Sequence, residues 1–258
     1  MNVLFLADVF GSAGRRAVEE RLHALRAQLE ADVCIVNGEN IADGAGITAK
    51  LADKLLAAGA DVVTLGNHTY RRAGIGEYLA QSDVVIRPAN AGTWTPGKAL
   101  AVVRARNGVD VAVVSLMGAL YLDVPQSPWE LVDALVDEAR ARAPVVIVDF
   151  HAEATSEKIA MAQWLDGRVT AVIGTHTHVQ TNDARILPGG TAAVTDAGMT
   201  GPHDSVIGVK SELAISRMRT RLPVRFEPAE GGVRMEGVVV ECSDDGRASG
   251  IELLRIAL

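Results

Sequence analysis

The chain has 258 residues, of which 48% are hydrophobic and 4% aromatic, and its net charge is -7 at pH 7. This composition is typical of a globular protein with one large domain or two small ones. The negative balance argues against a broad basic surface for duplex nucleic acid, although bound divalent metals would still let an anionic substrate approach. Its apolar runs are all shorter than the roughly 20 residues of a membrane span. Two cysteines make no disulfide framework and no basic segment precedes the first apolar stretch, so we expect a cytoplasmic protein without a signal peptide.

The first part of the chain alternates short apolar strands with amphipathic helices. Thr48 is the predicted N-cap of the second helix. The strands are predicted at 3–7, 32–36, 61–65 and 84–86, and the helices at 15–30, 48–58 and 76–81.

The second part adds two β-hairpins to this alternation. Asn107-Gly108 is the turn of the first hairpin, and Asp244-Asp245-Gly246 is the turn of the last one. The hairpin strands are predicted at 99–104, 109–116, 233–242 and 250–256, the other strands at 145–150, 171–173 and 192–196, and the helices at 128–143, 155–165 and 210–219. Thr155 or Ser156 is the expected N-cap of the helix at 155–165. We therefore predict a single α/β domain over residues 1–258, with either one mixed sheet or two stacked sheets.

Five of the predicted strands end in polar side chains that suit a metal or a substrate. These side chains are Asp8, Glu39, Asn40, Asn67, His68, His151, His176 and His178. The carboxyl ends of strands form the site in open α/β folds, so we expect these groups to meet at one rim. They are too many for one tetrahedral zinc ion and suit two metals about 3.5–4 Å apart that share a carboxylate. Nitrogen and oxygen ligands without a thiolate favour Mn, Fe or Zn.

Each of these residues also has a purely structural interpretation. Asp8 could cap the first helix, Asn67 could be a turn residue, and His151 could be satisfied by Asp149. In an extended segment the spacing of His176 and His178 would place both imidazoles on one side. The recurrence of polar residues at five strand ends favours the metal site.

Three residues are weaker candidates for substrate binding. Gly11 and Gly14 precede or begin a helix, where backbone amides can approach a phosphate oxygen, although turns also use glycine. His203 lies in a Gly/Pro loop and could touch substrate, with an exposed loop histidine as the alternative.

The order of these motifs resembles the calcineurin-like metallophosphoesterase superfamily. The resemblance is carried by Asp8, Gly38-Glu39-Asn40, Gly66-Asn67-His68, His151 and Gly174-Thr175-His176-Thr177-His178. Phe10 stands where the superfamily has the histidine of Asp-x-His, and Glu39 stands where it has a bridging aspartate. With these departures and the Met-Thr-Gly-Pro loop at 199–202, the sequence resembles the YmdB-type phosphodiesterase branch.

This resemblance implies a four-layer α/β/β/α sandwich of two mixed sheets flanked by helices. It also implies a di-iron or di-manganese centre that hydrolyses phosphodiesters, in particular cyclic nucleotides such as 2′,3′-cyclic AMP. It assigns Asp8, Glu39, Asn40 and His178 to one metal and Glu39, Asn67, His151 and His176 to the other, with Glu39 bridging and Asn40 replacing the histidine that Phe10 cannot supply.

The resemblance makes His68 the proton donor while a metal-bound hydroxide attacks phosphorus. Two alternatives stay open: a metal-dependent hydrolase of another bond, such as an amide, and a metal-stabilised regulatory protein without activity. A homo-oligomer is also left open by the sequence.

Overall fold

The computed structural model describes residues 1–258, with thirteen strands in two sheets and six α-helices. The strands are β1 (Asn2–Leu6), β2 (Val33–Asn37), β3 (Val62–Thr64), β4 (Val85–Ile86), β5 (Leu100–Arg104), β6 (Asp110–Met117), β7 (Val145–His151), β8 (Ala171–Thr175), β9 (Arg185–Ile186), β10 (Ala192–Val194), β11 (Gly201–Pro202), β12 (Val233–Cys242) and β13 (Ala248–Ala257). The helices are α1 (Gly11–Gln28), α2 (Ala49–Ala57), α3 (Ile75–Gln81), α4 (Pro128–Arg142), α5 (Thr155–Trp164) and α6 (Ser211–Thr220), and a short 3-10 helix covers Ala89–Ala91.

Both sheets are mixed. In the first, β1, β2, β3 and β4 are parallel neighbours, and β12 runs antiparallel to β1 and pairs with β11 and β13. In the second, the order is β5-β6-β7-β8-β10-β9, with antiparallel strands only at its two edges. The parallel strands of each sheet bring their carboxyl ends to one edge. The polar side chains that the sequence analysis placed at strand ends lie at this edge.

The buried side chains form three apolar clusters that separate four layers. Successive side chains of a strand point to opposite faces of its sheet, so β1 contributes to two of these clusters. Phe5 faces the cluster shared by the two sheets, whereas Leu6 faces α1, α2 and α3. The outer face of the second sheet packs against α4 and α5 through residues such as Val136 and Met161. This confirms the α/β/β/α sandwich and decides between the two sheet arrangements that the residue pattern had left open.

Some element boundaries differ from the sequence predictions. Thr48 does cap α2, since its hydroxyl accepts a hydrogen bond from the Leu51 amide. The N-cap of α5 is Ala154, without a side-chain bond, so the predicted cap at Thr155 or Ser156 was wrong. The first helix begins at Gly11 after the N-cap Phe10, which excludes Asp8 as its cap.

None of the six helices combines the length and the apolar composition that a membrane crossing requires.

Candidate metal centre

The predicted ligand residues meet where the two stacked sheets present their carboxyl ends. Asp8, Glu39, Asn40 and Asn67 follow strands of the first sheet, and His151, His176 and His178 end or follow strands of the second. The site therefore lies between two sheets rather than along the edge of one. Gly66 allows this approach, because a Cβ at that position would come within 2.5 Å of both Glu39 Oε2 and His151 Nε2.

His151 is the centre of one group of ligand atoms. Its Nε2 lies 2.9 Å from Asn67 Oδ1, 3.0 Å from His176 Nδ1 and 3.2 Å from Glu39 Oε1. The ligand atoms of Glu39, His151 and His176 all lie within 4.8 Å of one another. Four potential metal ligands thus converge on one buried point.

The tautomer of His151 is set by a hydrogen-bonded chain behind it. The Thr175 hydroxyl donates to Asp149 Oδ1 at 2.7 Å, so its oxygen accepts from His151 Nδ1 at 2.9 Å. Nε2 is then the nitrogen directed into the site, the arrangement found in metal-binding histidines. Burial opposes a charged imidazole, but the charges of Glu39, Asp8 and Asp149 raise the pKa of His151 to about 9, so these acidic neighbours favour a proton at Nε2, or a metal ion in its place.

His176 is oriented by a second carboxylate. Its Nε2 lies 3.0 Å from Glu153 Oε2, which leaves Nδ1 directed at His151. Burial and the charge of His151 lower the pKa of His176 to about 3, so this ring is neutral. A single proton cannot satisfy the lone pairs of both imidazoles, the Glu39 carboxylate and the Asn67 oxygen at once. Their nitrogen and oxygen donors fit a transition-metal ion.

Asp8, Asn40 and His178 form the second group. His178 Nδ1 donates to the Ile207 carbonyl at 2.9 Å, so Nε2 faces the site, 3.0 Å from the Asn40 amide and 3.9 Å from Asp8 Oδ1. The same amide lies 3.0 Å from Glu39 Oε1, which places that oxygen between the two groups. To bind a cation here, the Asn40 amide would turn its oxygen towards it, because an amide nitrogen has no lone pair to offer.

The two buried carboxylates respond differently to their surroundings. Burial raises the pKa of Glu39, but His151 and His68 more than offset this and hold it well below its usual range. Burial holds the pKa of Asp8 well above its usual range. A bound cation would allow Asp8 to ionise, which is a second indication that the residues present fit metal ions.

The His176-Thr177-His178 segment is not extended, so our reason for placing both imidazoles on one side was wrong. β8 ends at Thr175, and His176 and His178 have φ values of 102° and 62°. Asp196 holds this turn, since its Oδ2 accepts from the Thr177 amide at 3.0 Å and the Thr177 hydroxyl at 2.7 Å.

The sequence analysis missed the groups that support the turn and named Asp149 only as a possible partner of His151. Asp196 forms a buried ion pair with Lys158 Nζ at 2.8 Å. Asp149 also accepts from Asn37 Nδ2 at 2.9 Å and from the Thr64 hydroxyl. A carboxylate inside an apolar strand, as at Asp149, is a signal that could have found this network, because such a group is costly unless it is bonded.

His68 lies beside the ligand atoms rather than among them. Its Nδ1 is 2.8 Å from Asn40 Oδ1 and 3.4 Å from Glu39 Oε1, and its backbone amide donates to Glu39 Oε2 at 3.0 Å. The side chain is 27% exposed and lines the cavity above the site.

The three weaker candidates for substrate binding, Gly11, Gly14 and His203, make structural contacts instead. The Gly11 amide donates to the Asn40 carbonyl, and a Cβ at Gly14 would collide with the Thr200 carbonyl. His203 is partly buried rather than exposed: its Nδ1 lies 3.0 Å from the Gly201 carbonyl, and its Nε2 lies 3.3 Å from Glu236 Oε2. None of the three lines the cavity at the metal centre.

This cavity has a volume of about 520 Å³ and two chemically different parts. The polar part contains His68, His176 and His178 with four carboxylates, those of Glu39, Asp43, Glu153 and Glu227. No lysine or arginine lines it, so cations bound at the ligand groups would be its source of positive charge.

Two stacked mixed sheets with carboxylates, amides and imidazoles gathered at their carboxyl ends define a metallophosphoesterase-like hydrolase. The chain belongs to the YmdB-like protein family, whose model matches residues 4–254.

Comparison with known proteins gives relatives and solved structures of matching length. The chain is 45% identical to the 2′,3′-cyclic-nucleotide 2′-phosphodiesterase of Bacillus subtilis strain 168, over 100% of this chain and 97% of that protein. A hypothetical protein from Thermus thermophilus has a similar structure, with a TM-score of 0.93 and 39% identity over 100% of this chain and 99% of that one. A phosphatase from Mycoplasma pneumoniae gives a TM-score of 0.92 and 33% identity over 100% of this chain and 93% of that one.

Proposed function

We propose that this protein is a metal-dependent phosphodiesterase that hydrolyses cyclic nucleotides such as 2′,3′-cyclic AMP. The observation that carries the proposal is the position of Glu39 Oε1, 3.2 Å from His151 Nε2 and 3.0 Å from the Asn40 amide, at the junction of two ligand groups. The name of the Bacillus subtilis relative supports the substrate class. The free, buried Cys34 and Cys242 are compatible with a cytoplasmic location.

Two iron or manganese ions would be held by the two groups, with Glu39 shared. Asp8, Glu39, Asn40 and His178 would hold one ion, and Glu39, Asn67, His151 and His176 would hold the other. When bound, the ions supply a positive field that stabilises charge developing on the phosphoryl oxygens and that lowers the pKa of water.

His68 supplies the proton for the leaving oxygen in this proposal. The Asn40 side chain contacts the ring at Nδ1, at 2.8 Å. With the amide oxygen turned towards a cation, the amide nitrogen would donate to Nδ1, so Nε2 would carry the proton that is delivered into the cavity. An alkoxide is a poor leaving group, and proton transfer from a positioned imidazole removes that difficulty.

The carboxylates of the cavity favour a diester over a monoester. Asp43, Glu153 and Glu227 line the cavity beside Glu39, so the negative charge around the substrate is high. A phosphodiester brings one negative charge, whereas a monoester brings nearly two at neutral pH and is repelled more strongly.

The first prediction concerns metal content and substrate class. We expect about two transition-metal ions per chain in active protein, because the ligand groups form two sites with one shared carboxylate. Elemental analysis of the purified protein, followed by assays of the same sample on 2′,3′-cyclic AMP, bis-p-nitrophenyl phosphate and an activated amide, measures both. A single zinc ion per chain in active protein would contradict the two-metal proposal. Hydrolysis of the amide alone, or metal-loaded protein inactive on every phosphodiester, would support the alternative functions.

The second prediction concerns Asn40. The Phe10 ring packs edge-to-face on His178, with ring centroids 5.5 Å apart, and offers no ligand atom. We therefore expect Asn40→Ala to lose the metal held by Asp8 and His178 and to keep the other, so that metal content falls from about two ions per chain to about one.

Elemental analysis of the variant decides this division of ligands. Asn107→Ala is the matched control, because Asn107 is an exposed amide in a surface hairpin. Loss of both ions, or of neither, would contradict the assignment of Asn40 to one metal.

A further inference from the structure

One wall of the cavity is apolar and contains none of the predicted ligands. It is formed by Ile207, Val209, Phe226 and Pro228. Two chain segments pair to build it: the Lys210 amide donates to the Glu227 carbonyl at 3.0 Å, and the Ala229 amide donates to the Gly208 carbonyl at 2.8 Å. These backbone bonds hold the wall in place against the polar part of the cavity.

Phe226 is the aromatic member of this wall. Phe226 is 44% exposed, and the guanidinium of Arg217 on α6 lies 5.2 Å from the centroid of its ring. Phe226 lines the cavity, whereas Arg217 does not. An aromatic ring supported by a cation on one face is suited to stack a second planar group on the other.

The apolar wall is connected to the metal centre through the backbone. The Ile207 carbonyl accepts the Nδ1 hydrogen bond of His178 at 2.9 Å, although a φ of 47° is unfavourable for a β-branched residue. Such a conformation persists only where the surrounding contacts determine it. The segment that orients a metal-ligand histidine therefore also fixes the start of the apolar wall.

We propose that this apolar wall, with Phe226 at its centre, binds the nucleobase of the substrate by stacking while the phosphodiester lies at the metal centre. The inference rests on the proposed function, because it places a nucleotide in the same cavity. A volume of about 520 Å³ lies within the range of small-molecule sites. Stacking is tolerant of base identity, but a purine offers more stacking surface than a pyrimidine.

Phe226→Leu tests the proposal, because leucine keeps the apolar volume and removes the π face. Adenosine carries no phosphate, so its binding reports the base subsite in protein prepared with or without metal. We expect Phe226→Leu to weaken adenosine binding, measured by equilibrium dialysis, by about 5- to 150-fold, the effect that loss of one base–aromatic stack produces. The KM for 2′,3′-cyclic AMP should rise by a similar factor with kcat unchanged, and the preference for 2′,3′-cyclic AMP over 2′,3′-cyclic CMP should shrink.

Two variants and one substrate without a base serve as controls. Phe226→Trp should restore adenosine binding, and Leu222→Ala should leave it unchanged, because Leu222 is an apolar residue of the same segment, 64% exposed, that does not line the cavity. Methyl p-nitrophenyl phosphate has no base, so its kinetic constants should be the same in Phe226→Leu and the unsubstituted protein.

Equal adenosine binding by Phe226→Leu and the unsubstituted protein would overturn the base subsite, as would no adenosine binding by the unsubstituted protein at millimolar concentration. An equal loss on methyl p-nitrophenyl phosphate would overturn it too. Failure of the proposed function is a separate result: the unsubstituted, metal-loaded protein would then hydrolyse no phosphodiester, whereas adenosine binding to metal-free protein would still decide the role of Phe226.

Discussion

Replacing Glu39 by glutamine is expected to remove both metals and activity together. Glu39 is 1% exposed, and its Oε1 lies within 3.2 Å of both His151 Nε2 and the Asn40 amide, so this carboxylate lies between the two proposed ligand groups. The substitution keeps the shape of the side chain but removes the negative charge that a shared ligand must supply. Removing a residue that only supports a metal ligand lowers activity by up to about 100-fold. Removing a shared ligand should cost more, so we expect activity to fall by more than about 100-fold.

Elemental analysis and phosphodiesterase assays on the same samples measure this effect. Glu236→Gln is the matched control, because Glu236 is also buried, at 2% exposure, but does not line the cavity. Full metal occupancy with normal turnover in Glu39→Gln would show that Glu39 is not the shared ligand. Loss of one ion only would assign Glu39 to a single metal.

Replacing His68 by alanine should separate proton donation from metal binding. Its Nδ1 contacts Asn40 rather than occupying a position among the converging ligand atoms, so both metals should stay bound. On the proposed mechanism, in which His68 is the general acid, the substitution should slow hydrolysis of 2′,3′-cyclic AMP by about 10²–10⁴-fold, since the leaving group is an alkoxide. p-Nitrophenolate needs little protonation, so bis-p-nitrophenyl phosphate should be affected much less.

The ratio of the two rates, in samples of known metal content, is the measurement. His203→Ala provides a control for loss of a histidine, because His203 contacts Gly201 and Glu236 and does not line the cavity. If His68→Ala loses metal, or slows both substrates by the same factor, His68 is not the acid for the leaving group.

Local sequence pattern was sufficient to locate the strands that carry the site. β1 alternates between two apolar clusters, and β2 and β7 are buried throughout, so these strands read as apolar runs that end in polar residues. The motif order then gave the family and the four layers. The extended geometry predicted for His176 and His178 was wrong. Their positive φ values go with hydrogen bonds to Asp196 and to the Ile207 carbonyl, and the spacing of two histidines does not reveal these contacts.

The sequence by itself determined which side chains stand at strand ends, since hydrophobic periodicity and glycine positions are local properties of the chain. Only the tertiary structure decided which of those side chains meet. Glu39 and His151 lie on different sheets, and their 3.2 Å contact exists because the apolar faces of the two sheets pack together. The orientation of His151 through Thr175 and Asp149, and the place of Phe226 in the cavity, likewise depend on contacts between distant segments. Such contacts are set by burial and hydrogen bonding across the whole fold, and no single stretch of sequence contains them.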